Sequence, residues 1–268
     1  MIGNWGAALF ILLFSMPATA QDSNSPPLDP GPGQVEALPK TPKAVSFRFR
    51  SDFYSRYLWN GVPYSKGAVW QPSATLEFHG VGVTFWSNFV LGNEANQGQF
   101  NEVDITLYYR RSIGKWSLQG SLIGLVYFND DPASLNRGPN GLQGYFQVSR
   151  PVGPVKLFSD LTIGFLEPSG TVFWDFGIGY QKDLPLHFNL ETSLLFGVGD
   201  ARFNKAFIAD VGIQANLAVY SLAFPWRPIK GLSLIPTATF SNLLAPSLRK
   251  ASPAPTVLWG GLSVVYDL

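Results

Sequence analysis

The stretch from Glu102 to Arg110, EVDITLYYR, alternates between two kinds of side chain. Apolar or aromatic side chains occupy every second position, at Val103, Ile105, Leu107 and Tyr109. Successive side chains of a β-strand point to opposite faces of its sheet. This stretch therefore predicts a strand with one apolar face and one more polar face.

The same alternation recurs along the rest of the chain. Twelve segments show it, at residues 44–57, 69–79, 82–92, 101–111, 115–128, 141–150, 154–166, 170–182, 185–198, 205–220, 231–242 and 255–268. Several reach ten residues or more, which exceeds the length of about 5–6 residues usual for soluble strands and suits a strand that crosses a membrane at a tilt. After residue 44, no run of about 18 apolar residues predicts a transmembrane helix.

The connections between these segments alternate in length. Short turns are predicted at residues 80–81, 112–114, 151–154 and 182–185, and longer loops at 58–68, 93–100, 129–140, 199–204 and 243–254. Two connections, 166–170 and 221–230, fit this alternation less well. An even number of strands with short turns at one rim and longer loops at the other is typical of outer-membrane barrels.

A secreted β-sandwich also has alternating strands and is the main competing interpretation. Strand length and the pattern of connections favour the barrel. The sequence therefore predicts an all-β protein, a transmembrane antiparallel up-and-down β-barrel of about twelve strands over residues 44–268. If the short turns face the periplasm, both ends of the barrel lie there as well.

The first 43 residues differ from the rest. Residues 1–20 predict a cleaved signal peptide, because an apolar run at 7–14 is followed by Pro17 and by small residues at Ala18 and Ala20. A membrane anchor is the alternative, but the run is too short to span the bilayer. Residues 21–43, rich in proline and glycine, predict a disordered periplasmic leader or, less simply, a Pro-rich ligand for a partner.

The last segment resembles the signal that the barrel-insertion machinery reads. Leu262, Val264, Tyr266 and Leu268 lie on one face of a strand that runs to the end of the sequence. The expected partners are therefore this machinery and outer-membrane lipid, with small polar solutes inside the barrel. Nothing in the sequence marks a subunit interface, so the oligomeric state stays open.

Composition excludes several other classes. The 268 residues carry a net charge of +1 with 14% charged residues and no cysteine. No basic face indicates a nucleic-acid partner. A disulfide framework, a thiolate metal site and a cysteine nucleophile are excluded. Because no phosphate-binding or dinucleotide-binding motif occurs, no cofactor is predicted.

The polar faces supply the candidate site. If the apolar faces contact lipid, the lumen is lined by Arg48, Arg50, Asp52, Arg56, Glu77, His79, Glu102, Asp104, Arg110, Lys156, Asp160, Asp175 and Glu191. Both signs of charge occur, so strong ion selectivity is not indicated. The predicted function is a porin for passive diffusion of small polar solutes. The alternative is a structural or partner-binding barrel whose lumen is closed by paired charges.

An enzyme that modifies outer-membrane lipids is a further alternative. The two histidines, His79 and His187, lie beside predicted short turns, and no Ser-His-acid arrangement surrounds them. An antiparallel register of the first two strands would place His79 near Arg48 and Glu77 near Arg50. Glu102 and Asp104 offer oxygen ligands for an ion, although a solvated polar face explains them equally. We expect no enzymatic activity.

Residues 51–90 carry a family resemblance. The matching features are Ser51-Asp52-Phe53, Trp59-Asn60-Gly61, Ser65-Lys66-Gly67, Gln71-Pro72 and Trp86-Ser87-Asn88. With the acidic strand opening at 101–104 and an aromatic-to-proline loop at 127–132, the stretch 51–132 resembles the TorF-type porin family. These are proteobacterial outer-membrane β-barrels of unknown substrate, so the resemblance implies architecture and location in a Gram-negative outer membrane.

Overall fold

The computed structural model describes residues 45–92, 96–128 and 140–268. The predicted signal peptide, the predicted leader and most of the predicted loop 129–140 lie outside these residues. Fifteen strands are present: β1 (Val45–Tyr54), β2 (Tyr57–Trp59), β3 (Val62–Ser65), β4 (Val69–Phe78), β5 (Val81–Val90), β6 (Phe100–Ile113), β7 (Trp116–Tyr127), β8 (Gly141–Val152), β9 (Val155–Leu166), β10 (Val172–Asp183), β11 (Asn189–Gly199), β12 (Gln214–Ala223), β13 (Trp226–Ile229), β14 (Leu232–Leu243) and β15 (Thr256–Asp267).

Twelve of these strands form a closed antiparallel barrel. Each strand from β4 to β11 pairs with the next one in the chain, β12 pairs with β14, and β14 pairs with β15. The ring closes because β1 pairs with β15 on one side and with β4 on the other. β13 is a short addition that pairs with β14, and β2 and β3 form a separate hairpin. The predicted fold class is confirmed.

The connections follow the predicted alternation between the two rims. One rim carries the short turns, at residues 79–80, 114–115, 153–154 and 184–188, together with 224–231, which contains β13. The other rim carries the connections 55–68, 167–171, 200–213 and 244–255, and β5, β6, β7 and β8 also have one end there. We call these the turn rim and the loop rim. Both ends of the barrel sequence, at β1 and β15, reach the turn rim.

One predicted strand is wrong in its first half. The segment 205–220 begins inside a helix, Ala201–Phe207, and strand β12 starts only at Gln214. Asp200 begins the helix, since its side chain accepts the backbone N–H of Phe203 at 2.7 Å. A second short helix, Pro246–Ala251, lies in the last loop-rim connection. Within the described ranges, no helix is long and apolar enough to cross a membrane.

The two faces of the barrel wall differ in chemistry. A side chain that is buried in a closed single-layer sheet faces the interior, and one that is exposed faces outward. Large apolar side chains are exposed around the barrel, among them Phe49, Phe53, Leu76, Phe85, Ile105, Leu107, Phe146, Leu157, Phe176, Phe196 and Phe240. Polar side chains are buried, among them Asp52, Gln71, Asn88, Glu102, Gln119, Gln143, Asp160, Glu191, Thr239 and Ser263. An apolar exterior and a polar interior are the arrangement of a membrane-spanning barrel.

Candidate functional site in the barrel interior

Most of the predicted lumen residues lie on the interior face of the wall. The buried ones are Arg50, Asp52, Glu77, Glu102, Asp104, Asp160, Asp175 and Glu191. Arg48, Arg110 and Lys156 occupy the same faces of their strands and are half-buried. These side chains lie on the interior face of their strands, and their role in lining a conducting lumen stays a prediction.

Two of the predicted residues lie off the wall. Arg56 is in the connection that follows β1, beyond the end of the strand. His79 is exposed in the turn before β5, where its backbone φ is 48° and its ring packs edge-on against Phe78. His79 is off the wall because residues 79 and 80 form a tight turn, so the strand ends one residue earlier than predicted. His187 is likewise exposed in a turn-rim connection, with φ at 65°.

Three interior arginines, two on β1 and one on β6, are paired with carboxylates. The three ion pairs are Arg50 Nε to Asp52 Oδ2 at 2.8 Å, Arg48 Nε to Asp267 Oδ1 at 2.6 Å, and Arg110 Nη2 to Glu77 Oε1 at 2.7 Å. The Tyr108 hydroxyl also donates to Glu77 Oε2, at 2.7 Å. The three pairs offset the charges of these arginines.

The register of β1 and β4 differs from the one that would place His79 beside Arg48 and Glu77 beside Arg50. Arg48 pairs with Thr75 and Arg50 with Ser73 across the β1–β4 interface, so His79 and Glu77 lie nearer the turn rim than either arginine. The register of two strands can be read from the sequence when a tight turn joins them, because the turn fixes which residues face each other. The connection 55–68 between β1 and β4 is too long to fix it in this way. Glu77 reaches Arg110 on β6 instead.

A row of polar side chains crosses strands β7 to β10 on the interior face. Gln119 on β7 lies directly opposite Gln147 on β8, which lies opposite Asp160 on β9. Asp160 in turn lies opposite Asp175 on β10. Directly opposed residues of antiparallel strands have their Cβ atoms about 5 Å apart. We call Gln119, Gln147, Asp160 and Asp175 the oxygen row.

Acidic and phenolic groups meet nearer the loop rim. Tyr127 on β7 is hydrogen-bonded to Glu102 on β6 and to Tyr64 in the hairpin of β2 and β3. Burial, reinforced by the nearby Glu102 carboxylate, raises the pKa of the Tyr64 phenol well above its usual value. The hydrogen bond between Tyr64 and Tyr127 links the hairpin to the β6–β7 wall.

The β2–β3 hairpin reaches across the opening at the loop rim. At one end, the Tyr57 ring packs against Trp86 on β5 with a centroid distance of 5.6 Å. At the other end, Trp59 packs against Phe203 and Phe207 of the helix that follows β11, at 5.7 and 5.1 Å. β5 and β11 are six strands apart in a ring of twelve and so face each other. The hairpin therefore narrows the barrel mouth.

An apolar cluster packs around that hairpin at the mouth. It joins interior residues of the β10–β15 wall to loop residues, and its buried members are Leu58, Phe173, Leu195, Phe203, Leu217, Val219, Leu243, Ala245, Leu248, Val257 and Trp259. Sequence reasoning missed this cluster, since the segment 58–68 is predicted only as a loop. The available signal was the aromatic content of residues 57–64, YLWNGVPY, which is unusual for a solvated connection.

The interior offers oxygen and nitrogen atoms but no dense metal-ligand cluster. Across the described part of the chain, no group of three or more histidine, aspartate or glutamate side chains is placed to hold a metal ion. The chemistry of the interior is that of hydrogen bonding and charge. Such groups recognise polar solutes or ions that pass them.

No protein-family model matches the chain, and no curated protein matches it either. Solved structures similar to it in fold include two outer-membrane proteins. The COG4313 outer membrane channel from Pseudomonas putida F1 superposes with a TM-score of 0.55 at 13% identity, over 88% of this chain and 99% of that one. The KdgM porin, in a complex with disordered oligogalacturonate, superposes with a TM-score of 0.50 at 9% identity, over 82% of this chain and 98% of that one. The resemblance to the TorF-type family stays a prediction, while the twelve-stranded barrel architecture is one that this chain shares with outer-membrane porins and channels.

Proposed function

We propose that the protein is an outer-membrane channel for passive diffusion of small polar solutes. One observation carries the proposal: a closed barrel of twelve strands has exposed apolar side chains outside and buried polar side chains inside. The exterior suits lipid, and the interior suits water and polar solutes. The fold shared with outer-membrane channels supports the location, and the TorF-type resemblance of residues 51–132 points the same way.

The size of the barrel supports conduction of small molecules. Barrels of eight strands are filled by their own side chains, whereas barrels of about 16 strands leave a wide aqueous channel. Twelve strands lie between these limits. Since the β2–β3 hairpin occupies part of the mouth, solutes pass beside it, and the channel admits small molecules only.

The orientation of the chain follows from the two rims. Outer-membrane barrels have short periplasmic turns and longer extracellular loops. We place the turn rim in the periplasm and the loop rim outside the cell, which puts both ends of the barrel in the periplasm. Residues 1–20 would then direct export, residues 21–43 would form a periplasmic leader, and β15 would present the C-terminal signal to the insertion machinery.

A partner-binding barrel with a closed lumen is the second candidate. The apolar cluster at the mouth favours it, because buried apolar side chains there leave less room for water. The two histidines lie exposed in turns at the turn rim, and we assign neither of them a catalytic role.

Liposome swelling separates the two candidates. Purified protein is folded into liposomes, its folding is checked by heat-dependent gel mobility, and the vesicles are diluted into isotonic solutions of glycine, arabinose or raffinose. A channel with a narrowed mouth swells the vesicles fastest in glycine, more slowly in arabinose and least in raffinose. Folded protein that gives no swelling in any of these solutes would refute the channel and favour the closed barrel.

A further inference from the structure

We infer that the oxygen row binds cations inside the barrel and makes the channel prefer cations to anions. The preference for cations over anions rests on the proposed channel function, whereas the binding of cations to the oxygen row does not. The residues that carry the inference are Gln119, Asp160 and Asp175.

The register brings the two carboxylates together. Asp160 and Asp175 are directly opposed on β9 and β10, and both side chains face the interior. Their exposed fractions are 4% and 8%. Two carboxylates at this separation repel each other, and a cation between them removes the repulsion.

Oxygen atoms of the row are left without donors. Among the described residues, none donates a hydrogen bond to Gln119 Oε1, Asp160 Oδ1 or Asp175 Oδ1. The Gln119 amide nitrogen is engaged, since Nε2 donates to Ser121 Oγ at 3.3 Å. Asp160 is held in place by hydrogen bonds from Gln147 and Tyr145. A buried acceptor without a donor is costly, and a cation satisfies several acceptors at once.

The charges around the row determine the sign of the net charge in this part of the interior. Lys156, on the same face of β9, offsets part of the charge of Asp160. When both carboxyl groups are ionised, one ammonium group leaves the row with a net negative charge. Arg48, Arg50 and Arg110 are all engaged in ion pairs with other carboxylates, so they do not balance it. Arg110 lies beside the row, directly opposite Gln119 on β7, with its Nη2 atom held by Glu77. A ring or row of acidic side chains in a pore favours cations.

The donor set limits the class of ligand. Carboxylate and amide oxygens are hard ligands, which suit alkali and alkaline-earth cations and also accept hydrogen bonds from a protonated amine. These ligands share one chemistry, a positive charge met by oxygen acceptors. Potassium, calcium and methylammonium ions therefore serve as three probes of the same site.

The test compares matched variants in planar bilayers. The reversal potential across a KCl gradient gives the permeability ratio of potassium to chloride for the wild type, for Asp175→Asn and for the double variant D160N/D175N. Asp210→Asn is the control, because Asp210 is an exposed loop carboxylate paired with Lys205. The wild type and the control should prefer potassium, and the double variant should lose at least about threefold of that preference. Methylammonium chloride in place of KCl, and calcium added to one side, show which cations the row accepts.

The outcomes distinguish the inference from the proposed function. A conducting wild type with no preference for potassium, or a double variant with an unchanged ratio, would overturn the inference and leave the channel standing. A folded but silent barrel would refute the channel. Cation binding would then be judged by thermal unfolding, in which calcium should raise the midpoint of the wild type and not that of D160N/D175N. No such shift would overturn the binding as well. If the double variant does not fold, Asp175→Asn alone, which keeps the Asp160 hydrogen bonds, decides the result.

Discussion

Arg50 and Asp52 lie two residues apart on β1 and form an ion pair in the barrel interior, with 2.8 Å between Arg50 Nε and Asp52 Oδ2. Asp52 has no exposed surface, and Arg50 keeps only 8% of its own. Arg50 also donates to Ser263 Oγ on β15 at 3.1 Å, which ties the first strand to the last at the closure of the ring.

Removing the buried carboxylate should therefore destabilise the barrel. Asp52→Asn leaves the Arg50 charge without its partner, and we expect a loss of about 3 kcal/mol in the free energy of unfolding. Asp267→Asn is the matched control. It breaks the more exposed pair with Arg48, so its loss should stay below about 1 kcal/mol. Urea unfolding in lipid vesicles measures both. Equal losses from the two variants would contradict the account of the buried pair.

Two adjacent residues at the middle of β6 test which face meets lipid. Leu107 is an exposed apolar residue on the outer face, and Thr106 points inward, opposite Thr84 on β5. Leu107→Arg should cost about 2–4 kcal/mol because it puts a charge into the hydrocarbon, while Thr106→Arg should be tolerated. The folded fraction on heat-dependent gels and the unfolding midpoint measure this. Comparable damage from both substitutions would mean that the faces are assigned wrongly.

A substitution at Gly82 tests how tightly the interior is packed near the turn rim. A Cβ atom at this position would lie 2.1 Å from the ring of Tyr108, the residue directly opposite it on β6. Tyr108 donates to Glu77, so displacing the ring also breaks that hydrogen bond. We expect Gly82→Ala to lower the free energy of unfolding by about 1–3 kcal/mol. Gly120→Ala on β7, where a Cβ meets nothing within 4 Å, should cost nothing measurable. A neutral Gly82→Ala variant would show that Tyr108 has another position available.

The hairpin at the mouth should limit conduction. Replacing residues 57–65 with a Gly–Ser linker of equal length removes the contacts of Tyr57 with Trp86 and of Trp59 with Phe203. We expect single-channel conductance to rise at least about twofold, since the narrowest section governs ion flow. Lys66→Ala, an exposed change in the same connection, should leave conductance as it is. No rise after the replacement would place the constriction elsewhere.

The alternation in the sequence was enough to predict the strands and their faces. EVDITLYYR, at residues 102–110, shows why: a strand that separates lipid from a polar interior must keep the period of two over its whole length. The same rule failed at residues 205–213, where the Asp200 cap starts a helix. A single capping residue is a weaker signal for a helix than the surrounding alternation of apolar residues is for a strand.

Contacts between distant parts of the chain were beyond prediction. The pairing of Glu77 with Arg110 depends on a register that a shift of two residues would change, and strand ends are uncertain by about that much. The hairpin is held across the mouth by the contact of Trp59 with Phe203. These two residues are far apart in the chain, so the sequence does not show that they meet. Asp160 and Asp175 lie directly opposite each other on β9 and β10. Predicting this from the sequence would have required the exact residues at which β9 ends and β10 begins.

Single-channel recording of residues 21–268, folded and inserted into a planar lipid bilayer, tests the central claim most directly. The account predicts discrete conductance steps in KCl, at levels that rise when the hairpin is replaced. A barrel shown by its heat-dependent mobility to be folded, and yet silent at every voltage that the bilayer tolerates, would contradict it.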